Sequence, residues 1–417
     1  MTFKVLILVI TVLTLTFFQT GTSVAQKNPK RLYIIDENKV SIKIPFKFIN
    51  NLIVIRLQIN NSDTLNFILD TGVTTTIINQ KDVLKLQLNS QKEYWVGGLG
   101  QGNGMSARHS PENEIEISGI IGQHQDLLVM QEDEPNLSNL LGVPIHGLIG
   151  YTLFKDFIVE INYDEHYLIL HTPRKYVYNL QKDQVTIPLT FVDSKPYVDA
   201  IVIQGNDSEV PVKLMMDLGA SHALLLNLMS NSALQLPEKN IQITLGVGLS
   251  GLLSGQMGRL KELTIERFEF RDILANYPDT NSLGNSAKMH DRNGSIGSGL
   301  LRRFNIIIDY RHQKLVIAPG KDIKRPFRYN MSGIEIETPK PGEPFYQISF
   351  IHKNSPADKA GLQAGDQITR INDVPVSTLT LSDIINIFLE QPGKKVIIRY
   401  TRDKKEMRST FFLKEIL

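Results

Sequence analysis

The stretch "KLMMDLGASHALLL", residues 213–226, is an apolar run interrupted by one acid, one glycine and two small residues. Leu, Met and Ala at this density read as a buried strand, a turn and a second buried strand. An unpaired charge there would be expensive. Taken alone, Asp217 reads as the cap of a turn, since Asp and Gly are common turn formers. A second copy upstream changes that reading. "NFILDTGVTTTII", residues 66–78, carries Asp70, Thr71 and Gly72 where the later stretch carries Asp217, Leu218 and Gly219, 147 residues on.

The same offset recurs further along. "LIGYTLFKDFIVEINYDEHYLIL" (148–170) aligns with "SIGSGLLRRFNIIIDYRHQKLVI" (295–317), pairing Gly150 with Gly297, Leu153 with Leu300, Phe157 with Phe304, Ile161 with Ile308 and Tyr163 with Tyr310. Two landmarks that share one offset identify a duplicated domain. The segments before each acid, "IRLQINNSDTLNFILDTG" and "AIVIQGNDSEVPVKLMMDLG", both read as strand, turn, strand, so each acid is delivered at the end of a β-hairpin. Each half also holds a Gly-rich hairpin, "WVGGLGQGNGMSA" (95–107) and "LGVGLSGLLSGQMG" (245–258). Neither fits a phosphate-loop pattern. Both read as flaps over a cleft, with Gly98, Gly100 and Gly248 as cleft candidates and Met257, in the second flap, as either a substrate wall or a core residue. Trp95, the only tryptophan, is either a substrate wall or a core aromatic.

The chain has 417 residues, long enough for about three ordinary domains. Its net charge of +2 comes from 45 basic and 43 acidic residues mixed along the sequence, which suggests no nucleic-acid surface. Lys4, the apolar run Val5–Phe18 and the small residues Ser23 and Ala25 read as a signal peptide, residues 1–25, with a mature start near Gln26. The expectation is export to the periplasm or cell envelope of a bacterium; retention by an uncleaved signal in the inner membrane is the alternative. With no cysteine, the chain has no disulfide, catalytic thiol or lipidated cysteine. Polar or basic, Pro- and Gly-bearing segments mark boundaries that leave lobes at 26–175 and 176–320 and a further domain at 328–417. Residues 26–43 read as a first β-strand more readily than as a propeptide.

A duplicated β domain with one D-x-G per copy has a symmetric packing in which the halves meet about a pseudo-two-fold axis and bring the two loops together. Asp70 and Asp217 then lie side by side. They cannot both ionise easily and so share a proton over an intermediate pH range. One acts as general base on a water while the other hydrogen-bonds the substrate carbonyl.

Asp-Thr-Gly by itself is a weak motif; hydrophobic residues before it, the later hydrophobic-hydrophobic-Gly element and the repetition of both make it strong. The chain resembles the pepsin and retroviral type of aspartic peptidase and, within that group, the bacterial two-lobed retropepsin-like proteins that end in a PDZ domain. The resemblance implies a mainly β fold of two pseudo-symmetric lobes followed by a PDZ domain, a β-sandwich with two helices. It implies Asp70 and Asp217 as the dyad, with Thr71, Gly72 and Gly219 supporting the loops, and no cofactor or metal. The family's cross-lobe Thr is present as Thr71 and replaced by Leu218 in the second loop, so packing is expected to hold that loop. Val73 and Ala220 offer no hydroxyl beside the dyad, which raises its pKa values and moves the expected pH optimum to about 5 to 7. His222 is expected to pack or bond locally.

In the last domain, Ser355, Pro356 and Asp358 start a short helix that Gly361 ends, and Leu381, Ile384, Ile385 and Phe388 form one apolar helix face after Thr380. "NSPADKAGLQAGD" is similar to the centre of bacterial PDZ domains. That resemblance implies a peptide groove between "MSGIEI" (331–336), with Ser332, Gly333 and Ile334, and the helix bearing Leu381, Ile384 and Phe388. Peptide or protein C-termini would add there as an extra strand. The expected function is an exported aspartic endopeptidase acting as a monomer on polypeptides that the PDZ domain recruits. The alternative is an inactive peptide-binding protein of the same fold. No G-x-S-x-G and no H-E-x-x-H occurs, which leaves serine and zinc hydrolysis without a motif.

Overall fold

The computed structural model describes residues 30–79, 86, 88, 92–102, 104–131, 136–179, 181–283 and 292–417. The segment read as a signal peptide lies outside the described residues. Among the described residues no helix is long and apolar enough to cross a membrane.

Each acid arrives on a hairpin, as the strand, turn, strand pattern predicts. Leu52–Ile59 pairs antiparallel with Leu65–Leu69, and Lys195–Ile203 with Glu209–Asp217. The first turn places Asn60 and Asn61 at φ 50° and 59°, the left-handed region that Asn tolerates better than other side-chain-bearing residues and that a tight hairpin requires. Beyond each acid the chain crosses over, and the glycine landmark comes back beside it. Gly147–Ile149 lies parallel to Leu65–Leu69 and antiparallel to Thr76–Asn79. Gly294–Gly297 lies parallel to Glu209–Asp217 and antiparallel to Leu224–Leu226. The approach is close: a Cβ at Gly150 would stand 2.0 Å from the Asp70 carbonyl oxygen, which explains the glycine.

These elements build a nine-stranded sheet in the N-terminal lobe and an eight-stranded sheet in the C-terminal lobe. A further six-stranded sheet takes strands from both, with Ile158–Asn162 of the first lobe pairing with Phe304–Asp309 of the second. Glu160 stands opposite Ile307, its own counterpart in the repeat, while Val159 pairs with Ile308 and Ile161 with Ile306. Residue i meeting j while j meets i is the signature of a two-fold axis, which therefore passes between these strands. The duplicated positions fill one continuous core. Phe67 and Leu214, Leu153 and Leu300, Phe157 and Phe304, and Ile161 and Ile308 are all buried. Each such side chain contributes about 1.5–3 kcal/mol of hydrophobic stabilisation.

The last domain is a six-stranded sheet with two helices. Ser355 caps Pro356–Lys359 by accepting the Asp358 N–H, and Thr380 and Asp383 form a capping box on Leu381–Phe388. Leu381, Ile384 and Phe388 turn inward, as their spacing predicts.

This domain touches both lobes near the cleft. Asn50 N–H donates to Ser382 Oγ (3.3 Å), Thr338 N–H to the Asn139 carbonyl (3.0 Å) and Gly342 N–H to the Gly142 carbonyl (3.0 Å). On the other lobe, Arg259 pairs with Glu415 at 2.6 Å, and Met257, Ile241, Ile243 and Leu245 pack on the domain's apolar cluster.

Candidate active site

Asp70 follows the last residue of one strand and Asp217 ends another, and the symmetric packing sets their loops face to face at the floor of a cleft of about 440 Å³. The loop geometry is the same in both lobes: Gly72 N–H donates to Asp70 Oδ1 (2.6 Å) and Gly219 N–H to Asp217 Oδ1 (3.0 Å). The carboxylates converge. A methyl group built on Gly72 would meet Asp70 Oδ1 at 3.0 Å and Asp217 Oδ1 at 3.9 Å, and one on Gly219 would meet Asp70 Oδ2 at 2.4 Å. Both glycines are therefore required by the closeness of the acids.

Electrostatics follow from that closeness. Burial pushes the Asp217 carboxyl up to about 7, with the charge of Asp70 adding to the shift. Burial also raises Asp70, against the pull of the Gly72 N–H and of Lys195. The pair holds one proton between them through mildly acidic conditions, and the proton belongs to the pair. His222 lines the same cleft with Nε2 3.0 Å from Ser295 Oγ. Burial lowers it to about 4, so the imidazole is neutral in the range around pH 7 where Asp217 titrates.

The clamp between the loops is asymmetric. Thr71 Oγ1 donates to the Met216 carbonyl (2.5 Å) and accepts the Leu218 N–H (3.0 Å). Leu218 makes no reciprocal side-chain bond; it is fully buried in the core shared by the lobes, and the Ser298 hydroxyl donates to its carbonyl at 3.2 Å. Packing thus replaces the second hydroxyl, and the Leu218 main chain still takes part in the clamp.

Two hairpins roof the cleft. Glu93–Val96 pairs with Met105–Ile117, and Asn240–Gly248 with Gly251–Ile265. Their tips interlock: Ser250 N–H donates to the Leu99 carbonyl (3.0 Å), Gly102 N–H to the Ser250 carbonyl (2.6 Å), Gln101 N–H to the Leu252 carbonyl (3.1 Å) and Gly98 N–H to Ser250 Oγ (3.1 Å). Gly98 and Gly248 line the cleft beneath. Gly100 sits at the interlock, where a Cβ would come within 2.4 Å of Ser250 main chain.

The structure decides the positions that the sequence left open. Met257 does not face the cleft: its strand pairs it with Ile241 and Asn276, and its side chain packs into the apolar cluster of the last domain, while Leu253 faces the cleft instead. Trp95 is no core aromatic; it is 64% exposed on the first flap strand, opposite Ser106, and is not among the residues that line the cleft. The expected peptide groove lies beside the first lobe. Ile334, Leu381, Ile384 and Phe388 are buried, and the first-lobe residue Gly142 lies against Leu381. In the loop, Ser332 N–H donates to Asn330 Oδ1 and Ile334 N–H to Ser332 Oγ, while Gly333, at φ 80°, packs on Ser355.

Sequence reasoning missed Lys195 and Arg292, which line the cleft. The 147-residue offset aligns Lys195 with Phe48, because the second hairpin is longer; only strand register shows that Lys195 occupies the place of Leu52. Ser250 and Ser282, which bond across the flaps, carried no motif at all. Among the described residues no group of His, Asp or Glu is arranged to hold a metal ion.

The duplicated lobes, paired acids and roofed cleft agree with the comparison to known families. The aspartyl protease family model matches residues 55–153, and the PDZ domain family model matches residues 347–402. The chain contains an aspartyl protease domain and a PDZ domain. No curated protein matches the chain. The aspartyl protease match spans the first acid loop, the first flap and the first glycine landmark; the second lobe joins it through the internal repeat.

Proposed function

We propose that the protein is an exported aspartic endopeptidase, which hydrolyses peptide bonds of polypeptides with Asp70, Asp217 and a water molecule between them. The observation that carries this reading is the convergence of both carboxylates beside Gly72 and Gly219, buried so closely that both are raised above their ordinary range. The ionised carboxylate takes a proton from the water, whose oxygen adds to the carbonyl carbon of the substrate. The protonated carboxyl hydrogen-bonds the carbonyl oxygen as it gains charge. Collapse of the tetrahedral intermediate breaks the C–N bond, and the proton taken from water passes to the leaving nitrogen. No covalent enzyme adduct forms.

The interlocked flaps support the reading by excluding water from the cleft, and they must part to admit an extended chain. The PDZ domain packs on the base of the second flap and on the loop 139–142, a position suited to presenting polypeptides to the cleft. Lys4, the run Val5–Phe18 and the small residues after it support export to the periplasm or cell envelope.

The test is incubation of the chain from Gln26 onward with an unfolded protein, alongside Asp70→Asn and Asp217→Asn, with fragments mapped by mass spectrometry. The wild-type chain is expected to cut and each variant to lose about a thousandfold or more in rate. Cutting that survives in both variants removes the dyad assignment. Binding of the unfolded protein without any cutting would favour a peptide-binding role.

A further inference from the structure

The two walls of the cleft differ in chemistry at equivalent places. The hairpin registers Val54↔Ile68 and Tyr197↔Met215 put Leu52 and Lys195, two residues earlier on each strand, across from the acid of their own lobe. A second equivalence is fixed by hydrogen bonds. His146 N–H donates to the Asn66 carbonyl (2.9 Å) while its Nδ1 accepts the Asn66 N–H (2.9 Å). Asn293 N–H donates to the Lys213 carbonyl (2.8 Å) while its Oδ1 accepts the Lys213 N–H (2.8 Å). The residues just before them, Ile145 and Arg292, therefore correspond.

On the first lobe, Leu52 and Ile145 join Ile68 and Leu148 in a buried apolar cluster. On the second, Lys195 and Arg292 are half-buried and line the cleft, with Ser295 in the place of Leu148. Arg292 donates to the Tyr197 hydroxyl at 3.2 Å and contacts Met215 Sδ at 3.7 Å. Among the described residues neither cation makes an ion pair, and the described lining of the cleft holds no acid besides the dyad. With one proton on the dyad, two cations face a single carboxylate charge. Half-buried cations with no ion pair among the described residues and more positive charge than the protonated dyad balances favour an anion in the cleft.

We propose that this wall is a subsite for an acidic side chain, Asp or Glu, adjoining the bond that is cut, with an apolar side chain taken by the opposite wall. Arg292 offers a planar fork to a carboxylate and Lys195 a point charge beside it. The proposal rests on the peptidase reading and supplies its substrate class.

Cut sites mapped on a mixture of peptides from a denatured proteome are expected to show Asp or Glu enriched at one position beside the cut, with Leu, Ile, Phe or Met at the other. Matched peptides centred on Leu-Glu or Glu-Leu are expected to be cut with kcat/KM about tenfold above their Leu-Gln or Gln-Leu counterparts. In the double variant Lys195→Leu, Arg292→Ile, which copies the first lobe, that ratio is expected to fall to about one. Equal rates on the Glu and Gln peptides with the wild-type chain overturn the subsite and leave the peptidase reading standing. If the wild-type chain cuts nothing, the peptidase reading fails, and the same peptides bound to it, read by fluorescence anisotropy, decide the subsite. Tighter binding of the Glu peptide upholds it, and equal binding overturns it.

Discussion

In the first lobe the acid loop reads Asp-Thr-Gly and its threonine hydroxyl crosses to the other loop; in the second it reads Asp-Leu-Gly and its leucine is sealed in the core. The backbone bonds around each acid are nevertheless the same, down to the glycine N–H on each carboxylate and the landmark strand beside it. Strand pairing and core therefore constrain the repeat more tightly than the side chains between the lobes do. One hydroxyl clamp suffices where a large buried side chain takes the other half of the contact.

That comparison can be broken at its strongest point first. Thr71→Val deletes both cross-loop bonds and strands a buried N–H and carbonyl, which is expected to cost about 2–4 kcal/mol in urea unfolding and at least about tenfold in kcat. Leu218→Thr asks the opposite question. If packing is what the second loop contributes, the substitution is expected to destabilise by about 1–3 kcal/mol. A gain in stability would show that a second hydroxyl clamp was available and unused.

A smaller effect sharpens the electrostatic side. Cutting is expected to decline as pH rises through about 7, where the dyad loses its shared proton. Arg292→Ile removes a positive charge that holds Asp217 down, so the alkaline limb is expected to move up by a few tenths of a pH unit. The same shift bears on stability. A carboxyl raised from its ordinary value near 3.8 binds its proton more tightly folded than unfolded. Stability is thus fully present below about pH 4 and declines as pH rises toward 7. Asp217→Asn is expected to flatten that decline, raising the melting temperature at pH 8 relative to wild type by about 2–4 °C for each kcal/mol involved. An unchanged slope between pH 5 and pH 8 would show that the second acid is not buried against the first. The smallest change expected is at the flaps, where Ser250→Ala deletes one side-chain bond to Gly98 and leaves the main-chain interlock, for about a twofold to fivefold change in KM.

Much of the fold was legible because duplication wrote it twice. Asp70 with Asp217 and Gly150 with Gly297 mark strand ends in both copies, and the PDZ helix declared itself by capping residues and apolar spacing. Direction of burial was less legible. Met257 sits in a flap hairpin like the cleft residues around it, yet alternation along its strand turns it toward the PDZ domain. A domain docked from elsewhere in the chain leaves no local signature on the strand that receives it. The contact of Gly142 and Asn139 with the expected PDZ groove was illegible for the same reason, since both belong to another domain. Lys195 was hidden by hairpin length: it follows Leu52 by 143 residues whereas Asp217 follows Asp70 by 147, so only paired strands could align them.

The strand pair at the pseudo-two-fold axis has a consequence for how the lobes stay together. Because Glu160 faces Ile307 and its neighbours exchange partners symmetrically, the contact is one that two separate, identical chains could make. The peptide link through residues 171–184 is therefore not what shapes the joint. Its contribution is effective concentration, converting a bimolecular encounter into an intramolecular one and making assembly of the acid pair independent of how dilute the protein is.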